Sequence, residues 1–174
     1  MSESMRQFLK IVLLGIGAAV FYGVIHDQVT VRICREYFTV AHPPVFGTTS
    51  PTLLALGWGI IATWWVGAGL GVLLGVCAQA GSAPRMKAFQ VVRPVAMLLL
   101  GTGILACVAG GAGFFLFQSG QVGIGGWEQR IAPTRQAAFA AAAWMHLASY
   151  GMAALGGIGV AIWMLITRRR AARP

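Results

Sequence analysis

Four long apolar runs, Phe8–Ile25, Thr52–Ala78, Pro94–Phe117 and Ala137–Ile166, fill most of this chain and leave its charges to the gaps between them. A helix needs about 20 apolar residues to cross the ~30 Å hydrocarbon core of a bilayer. Three runs exceed that length, and the first reaches it with its polar ends at the headgroups. The expected fold is all-α: a polytopic membrane protein, a four-transmembrane-helix bundle forming one domain over residues 1–174, with helices at about 8–27, 52–78, 94–117 and 137–166. Charged residues make up 10% of the chain, against about a quarter in a soluble domain. No gap is long enough to fold alone; the longest, His26–Pro51, forms an outer polar segment between the first and second helices.

The net charge of +9 raises the question of nucleic acid, and its distribution answers it. Arg6, Lys10, Arg85, Lys87, Arg93, Arg168, Arg169, Arg170 and Arg173 share one side of a four-span bundle, whereas Arg32, Arg35, Arg130 and Arg135 share the other. Nine against four in short loops follows the positive-inside rule with both termini cytoplasmic. The basic excess is a topological signal and a contact for anionic lipid. No aromatic-interleaved basic face accompanies it, so nucleic acid is not an expected partner. Arg6 and Lys10 could also open a signal peptide, but no small-x-small cleavage site follows Val20–Ile25, and an uncleaved first helix is the expectation.

In the second run Ala55, Gly59, Thr63, Gly67, Gly71 and Gly75 recur every four residues, which makes one helical ridge small from end to end. Gly67, Gly71 and Gly75 form overlapping GxxxG units, a pattern that lets helices approach closely. Packing against the chain's own helices is the preferred reading of this ridge, and a dimerisation face is the alternative. The fourth run carries Ala138, Ala142 and Ala154 on one stripe and Gly151 and Gly159 on another. A tight bundle with few cavities is expected. Of Trp64 and Trp65, one indole is expected inside the bundle and the other in lipid.

His146, with Ser149 beside it and Tyr150 one turn on, stands near mid-membrane on this reading. An ionisable group there is either functional or a neutral imidazole bonded to a neighbouring carbonyl or hydroxyl. The outer segment holds His26, Asp27, Arg32, Glu36 and His42, and with His146 these are the candidate binding residues. His26, Asp27, Glu36 and His42 have side chains able to bind zinc, but no pair has a recognised metal-site spacing, so neither a metal nor another cofactor is expected. No nucleophile motif accompanies them and no catalytic residue is assigned. The simplest structural role is a polar lid in which Asp27, Arg32, Arg35 and Glu36 pair with Glu128, Arg130 and Arg135. Cys34, the one cysteine expected outside, is either free or bridged between chains. The glycine-rich loop Gln118–Gln136 reads as flexible, with Trp127 as an interfacial anchor.

Known membrane chemistries lack their required residues on this reading. Haem bundles need paired histidines at matching depth, and only His146 is expected deep. Thiol oxidoreductases need a CxxC, which is absent. A drug/proton exchanger needs an acid within a span, and none of the four acids is expected in one.

The residues His26-Asp27-Gln28-Val29-Thr30, Glu36-Tyr37-Phe38-Thr39, His42-Pro43-Pro44, Leu56-Gly57-Trp58-Gly59 and Ala62-Thr63-Trp64-Trp65-Val66-Gly67 resemble a group of small bacterial multi-pass membrane proteins of uncharacterised function. The resemblance covers about the first 70 residues. It implies a bacterial cytoplasmic (inner) membrane location and brings no activity or catalytic residues. The expected function is therefore a non-enzymatic accessory or interaction protein, contacting lipid and a second copy or another membrane protein. The alternatives are a membrane enzyme or metal/small-molecule binding protein with an outer His/Asp/Glu site, and a small transporter using His146.

Overall fold

The computed structural model describes residues 1–173, and it is all-helical, with no strand among them. The elements are α1 (Glu3–Ile33), α2 (Arg35–Thr39), α3 (Pro51–Ile61), α4 (Trp64–Gln79), α5 (Ala88–Gln118) and α6 (Pro133–Ala171). With α3 and α4 taken together, four helical segments are long and apolar enough to cross a membrane. Their surface is apolar: Leu13, Leu100, Leu147 and Leu155 are all more than 60% exposed.

Each long helix outruns its apolar sequence. The first helix, expected to end near residue 27, continues to Ile33, where Thr30 and Val31 are buried and the Thr30 hydroxyl donates to the His26 carbonyl. The third begins at Ala88 rather than Pro94. Its free first-turn N–H groups are met by side chains, since Ala88 N donates to Gln7 Oε1 (2.8 Å) and Lys87 N to Gln90 Oε1 (2.8 Å). The second span, expected as one helix, is interrupted at Ala62–Thr63. There the Thr63 hydroxyl donates to the Gly59 carbonyl (2.5 Å), the back-bonding by which threonine bends helices.

Helix α1 is the centre of the bundle and touches α2, α3, α4, α5 and α6. It crosses the α3–α4 span antiparallel, Gly23 lying on Gly59 and Thr63, and Gly15 on Gly67 and Gly71. A Cβ added at Gly67 would stand 2.5 Å from the Gly15 carbonyl oxygen, and one at Gly71 2.7 Å from Val12 Cα. At Gly75 the neighbour is the ring of Phe8. The α5–α6 pair is also antiparallel, with Gly110 on Met145 and Gly113 on Trp144. Trp64 and Trp65 are 49% and 56% exposed, so neither indole enters the core, because the ridge that faces α1 lies on the other side of the helix.

Arg168, which the sequence groups with the basic tail, is buried. Its guanidinium donates to the carbonyls of Ala80, Ala83 and Pro84 (each 2.8 Å) and to that of Cys77. Cys77 and Ala80 offer acceptors at the carboxyl end of α4, where a cation also meets the negative end of the helix dipole, and Ala83 and Pro84 lie in the loop that follows. The opposite end is closed by α2 and the α5–α6 loop, with Phe38 packed on Val31 and Leu54, and Cys34 on Ile131 and Phe139.

The glycine contacts predict unequal responses to one methyl group. Gly67→Ala should lower stability by about 1–3 kcal/mol, because the helix backbones must separate. Gly69→Ala, with nothing within 4 Å of its new methyl, should leave stability unchanged or slightly raised. Equilibrium unfolding in mixed micelles of rising SDS fraction measures both; equal midpoints for the two variants would contradict the close crossing.

Candidate functional site

At the end of the bundle below α2, side chains from α1 and α6 meet in a buried polar cluster. Sequence position alone puts His26 and Asp27 at the edge of the first helix and His146 deep in the fourth. The structure puts them at one level. Because α1 runs on to Ile33, His26 and Asp27 lie inside it and are buried, 8% and 5% exposed. The His26 and His146 rings meet edge to face with centroids 4.7 Å apart. His146 Nε2 lies 3.2 Å from Asp27 Oδ1. Two expected absences are thereby overturned: histidines do occur at matching depth on neighbouring helices, and the carboxylate of Asp27 lies buried within a long apolar helix.

The hydrogen bonds constrain which ring nitrogens carry protons. His146 Nδ1 is 2.8 Å from the Ala142 carbonyl, which can only accept, so Nδ1 carries the hydrogen. The contact between His146 Nε2 and Asp27 then needs one further hydrogen, held between imidazole and carboxylate. On the other side, the Ser149 hydroxyl donates to the Met145 carbonyl (2.9 Å). With the Ser149 hydrogen on Met145, Ser149 Oγ, 2.8 Å from the Tyr22 oxygen, accepts from Tyr22. The Tyr22 oxygen is left to accept from His26 Nδ1 at 3.4 Å. On that assignment of the hydrogens His26 Nε2 is a bare lone pair, and on any assignment it is the one buried side-chain nitrogen or oxygen without a partner among the described residues.

The cluster closes one end of a cavity of about 110 Å³. Its long walls are apolar, from Gly15, Leu70, Val95 and Leu98, and its polar end is lined by His26, Asp27, His146, Ser149 and Tyr150. Against the expectation of a bundle with few cavities, the small ridge residues leave space where no side chain fills it. His42, carried back over the bundle by α2, lines the same cavity. Its Nδ1 donates to the Tyr37 carbonyl (2.7 Å), and its ring packs on Trp58 with centroids 4.6 Å apart. Burial, outweighing that hydrogen bond, holds His42 below the ordinary imidazole range, which keeps it neutral at pH 7. Burial, reinforced by Tyr150 and Asp27, pushes the Tyr37 hydroxyl up to about 12.

The other two candidates stand apart. Arg32 is exposed and donates to the Gln28 carbonyl (2.5 Å), to Gln28 Oε1 (2.7 Å) and to Thr52 Oγ1 (3.3 Å). Glu36 faces Arg135 at 3.3 Å, and Arg135 also donates to the Ile33 carbonyl (2.9 Å). Burial raises the Glu36 carboxyl, but hydrogen bonds from its own backbone N–H, Arg135 and Cys34 outweigh it and hold the group below its usual range. The expected polar lid is thus reduced to the Glu36–Arg135 pair. Asp27 turns inward to His146, Glu128 accepts from Ile124 N (2.9 Å), and the Arg130 guanidinium lies 5.2 Å over the Trp127 ring.

Tyr22, Tyr37 and Trp58 belong to the site and were not singled out from sequence. Tyr22 precedes His26 by one helical turn, and that spacing was the available signal. His26, Asp27 and His146 each offer one ligand atom, all within 4.8 Å of one another. Sequence spacing could not reveal this trio, because 119 residues separate Asp27 from His146. Comparison of the chain with protein-family models, curated proteins and solved structures finds no match.

Cys34 is fully buried, and burial above all pushes its thiol up to about 11. It should resist maleimide reagents at pH 7–8 in the folded protein from either side of a membrane, and react only after unfolding in SDS. Labelling of the native protein at a rate matching that of a free thiol would contradict the packing of α2 on α6.

Proposed function

We propose that the chain is a multi-pass protein of the bacterial cytoplasmic membrane, with both termini cytoplasmic, that binds a small ligand in the cavity beneath its outer face. The observation that carries this reading is convergence. All three histidines of the sequence, and its one buried carboxylate, line a single cavity in a bundle whose other walls are apolar. A ligand with a polar group seated at His26, Asp27 and His146 would be held by directional contacts at one end and by Leu70, Val95 and Leu98 along its body.

The accessory reading relies on two contact surfaces, and both are occupied within the chain. The ridge of Gly59, Gly67 and Gly71 lies on α1. The outer segment folds onto the bundle through Phe38, Cys34 and Glu36. A buried site remains as the better-supported seat of function. Four apolar helices and the nine-to-four division of basic residues support the membrane location and orientation.

Two measurements test this. Thr49 and Ser82 are exposed in loops at opposite ends of the bundle. In a background without reactive thiols, Thr49→Cys should react with an impermeant maleimide in intact cells and Ser82→Cys only after permeabilisation. The reverse pattern would invert the orientation. For binding, native mass spectrometry of protein extracted in mild detergent should show added mass of a bound metal or small molecule that His146→Ala abolishes. Identical ligand-free spectra for wild type and variant would remove the binding reading.

A further inference from the structure

We infer that His26, Asp27 and His146 form a binding site for a divalent first-row transition metal ion, an assignment that rests on the ligand-binding reading and names its ligand. Two imidazole nitrogens and one carboxylate oxygen form the donor set of many zinc and non-haem iron centres. No thiolate joins them: Cys34 donates to Glu36, and neither Cys77 nor Cys107 lines the cavity. Donors about 2.0–2.1 Å from a tetrahedral ion lie about 3.3 Å from each other. His146 Nε2 and Asp27 Oδ1 already stand 3.2 Å apart, and all three ligand atoms lie within 4.8 Å.

The second observation is independent of this clustering. His26 is 92% buried, and its Nε2 has no hydrogen-bond partner among the described residues. The orientation is imposed from outside the trio. With Met145 accepting from Ser149, Ser149 from Tyr22 and Tyr22 from His26 Nδ1, the relay leaves Nε2 unprotonated. His146 likewise gives Nδ1–H to the Ala142 carbonyl, and its Nε2 faces Asp27. Metal-ligating histidines show this arrangement, with the far ring nitrogen donating to a carbonyl or another acceptor that fixes the ring. An ion pair between Asp27 and His146 would account for those two residues alone. It would leave the bare nitrogen of His26, and the relay that sets it, without a role. An ion held by the trio keeps at least one coordination position open, and the cavity continues past it along His42, Ser149 and Tyr150.

The test uses the full chain purified without a polyhistidine tag, stripped with chelator and loaded with Zn²⁺ or Co²⁺ alone. The expected result is one ion per chain by elemental analysis. The Co²⁺ form should show visible ligand-field bands of a nitrogen/oxygen site, and Zn²⁺ should raise the thermal midpoint. His26→Gln, Asp27→Asn and His146→Gln should each abolish stoichiometric binding, while Glu36→Gln should bind as wild type. Ser149→Ala, which breaks the relay without touching a donor, should weaken binding by ~10-fold and shift the Co²⁺ bands. Should a trio variant fail to fold, the wild-type stoichiometry and the Ser149→Ala shift still decide. Wild-type protein that binds neither ion, or trio variants that fold and still bind stoichiometrically, would overturn the metal site. A metal-free protein carrying an organic molecule that His146→Ala releases would overturn it while leaving the ligand-binding reading intact. Absence of both would remove the two together.

Discussion

The contact of α1 with the α3–α4 span, backbone on backbone, is the constraint on which the rest of the bundle depends. Apolar side chains gain little by leaving lipid for another apolar surface, so helices in a bilayer associate through close packing rather than through the hydrophobic effect. Gly15 against Gly67 and Gly23 against Gly59 bring the two helices near enough for carbonyls and Cα atoms to touch. Because α1 also contacts α5 and α6, this one crossing fixes the depth of a helix that every other element uses as a reference. A shift of one turn would move His26 and Asp27 about 5.4 Å along the axis, away from His146.

The same crossing makes room for the site. Gly15, Gly23 and Gly67 line the cavity as well as the helix contact, so the residues that permit close approach on one side leave unfilled volume beside it. Next to Gly23, Tyr22 turns toward α6 and reaches Ser149. The interruption at Ala62–Thr63 falls along the same wall. There Tyr150 donates to the Ala62 carbonyl at 3.4 Å, so a polar side chain from α6 meets backbone that the broken helix leaves free. The interruption thus adds one polar contact to a cavity whose polar end takes His26, Asp27, His146 and Ser149 from the uninterrupted helices α1 and α6.

The parts of this architecture legible in the sequence are those carried by local pattern. Hydropathy located all four long apolar helices, and the four-residue period of Gly59, Gly67, Gly71 and Gly75 identified the small face of the second. Helix ends were harder to read, because the polar residues that prolong them are stabilised by tertiary partners: Gln7 caps α5 from 81 residues away. The matching stripe on α1, Gly15, Ala19 and Gly23, has the same period and was readable, but its meaning depends on which helix faces it. For the site, the residue types of His26, Asp27, His42 and His146 were visible as candidates. Their grouping was not, since it requires the depth of α1 against α6, which composition does not encode. Glu36 and Arg32 looked equivalent to Asp27 in sequence and differ from it only by lying beyond or outside the buried face.

Burial gives that grouping its cost, and the cost argues against accident. A buried acceptor left unpaired costs about 1–3 kcal/mol, and His26 Nε2 is such an acceptor. An alanine or leucine at position 26 would avoid it in a bundle otherwise built from such residues. Instead Tyr22 and Ser149 are spent on holding the imidazole in the one tautomer that leaves the nitrogen bare. His42 and His146 follow the same rule, each giving Nδ1–H to a backbone carbonyl and keeping Nε2 for something else. Three imidazoles, each with Nδ1 on a different acceptor, thus line one cavity, and the Nε2 of His146 meets Asp27 while that of His26 meets no partner among the described residues. That arrangement is the support for the proposal that the buried polar groups of this bundle serve a ligand in the cavity.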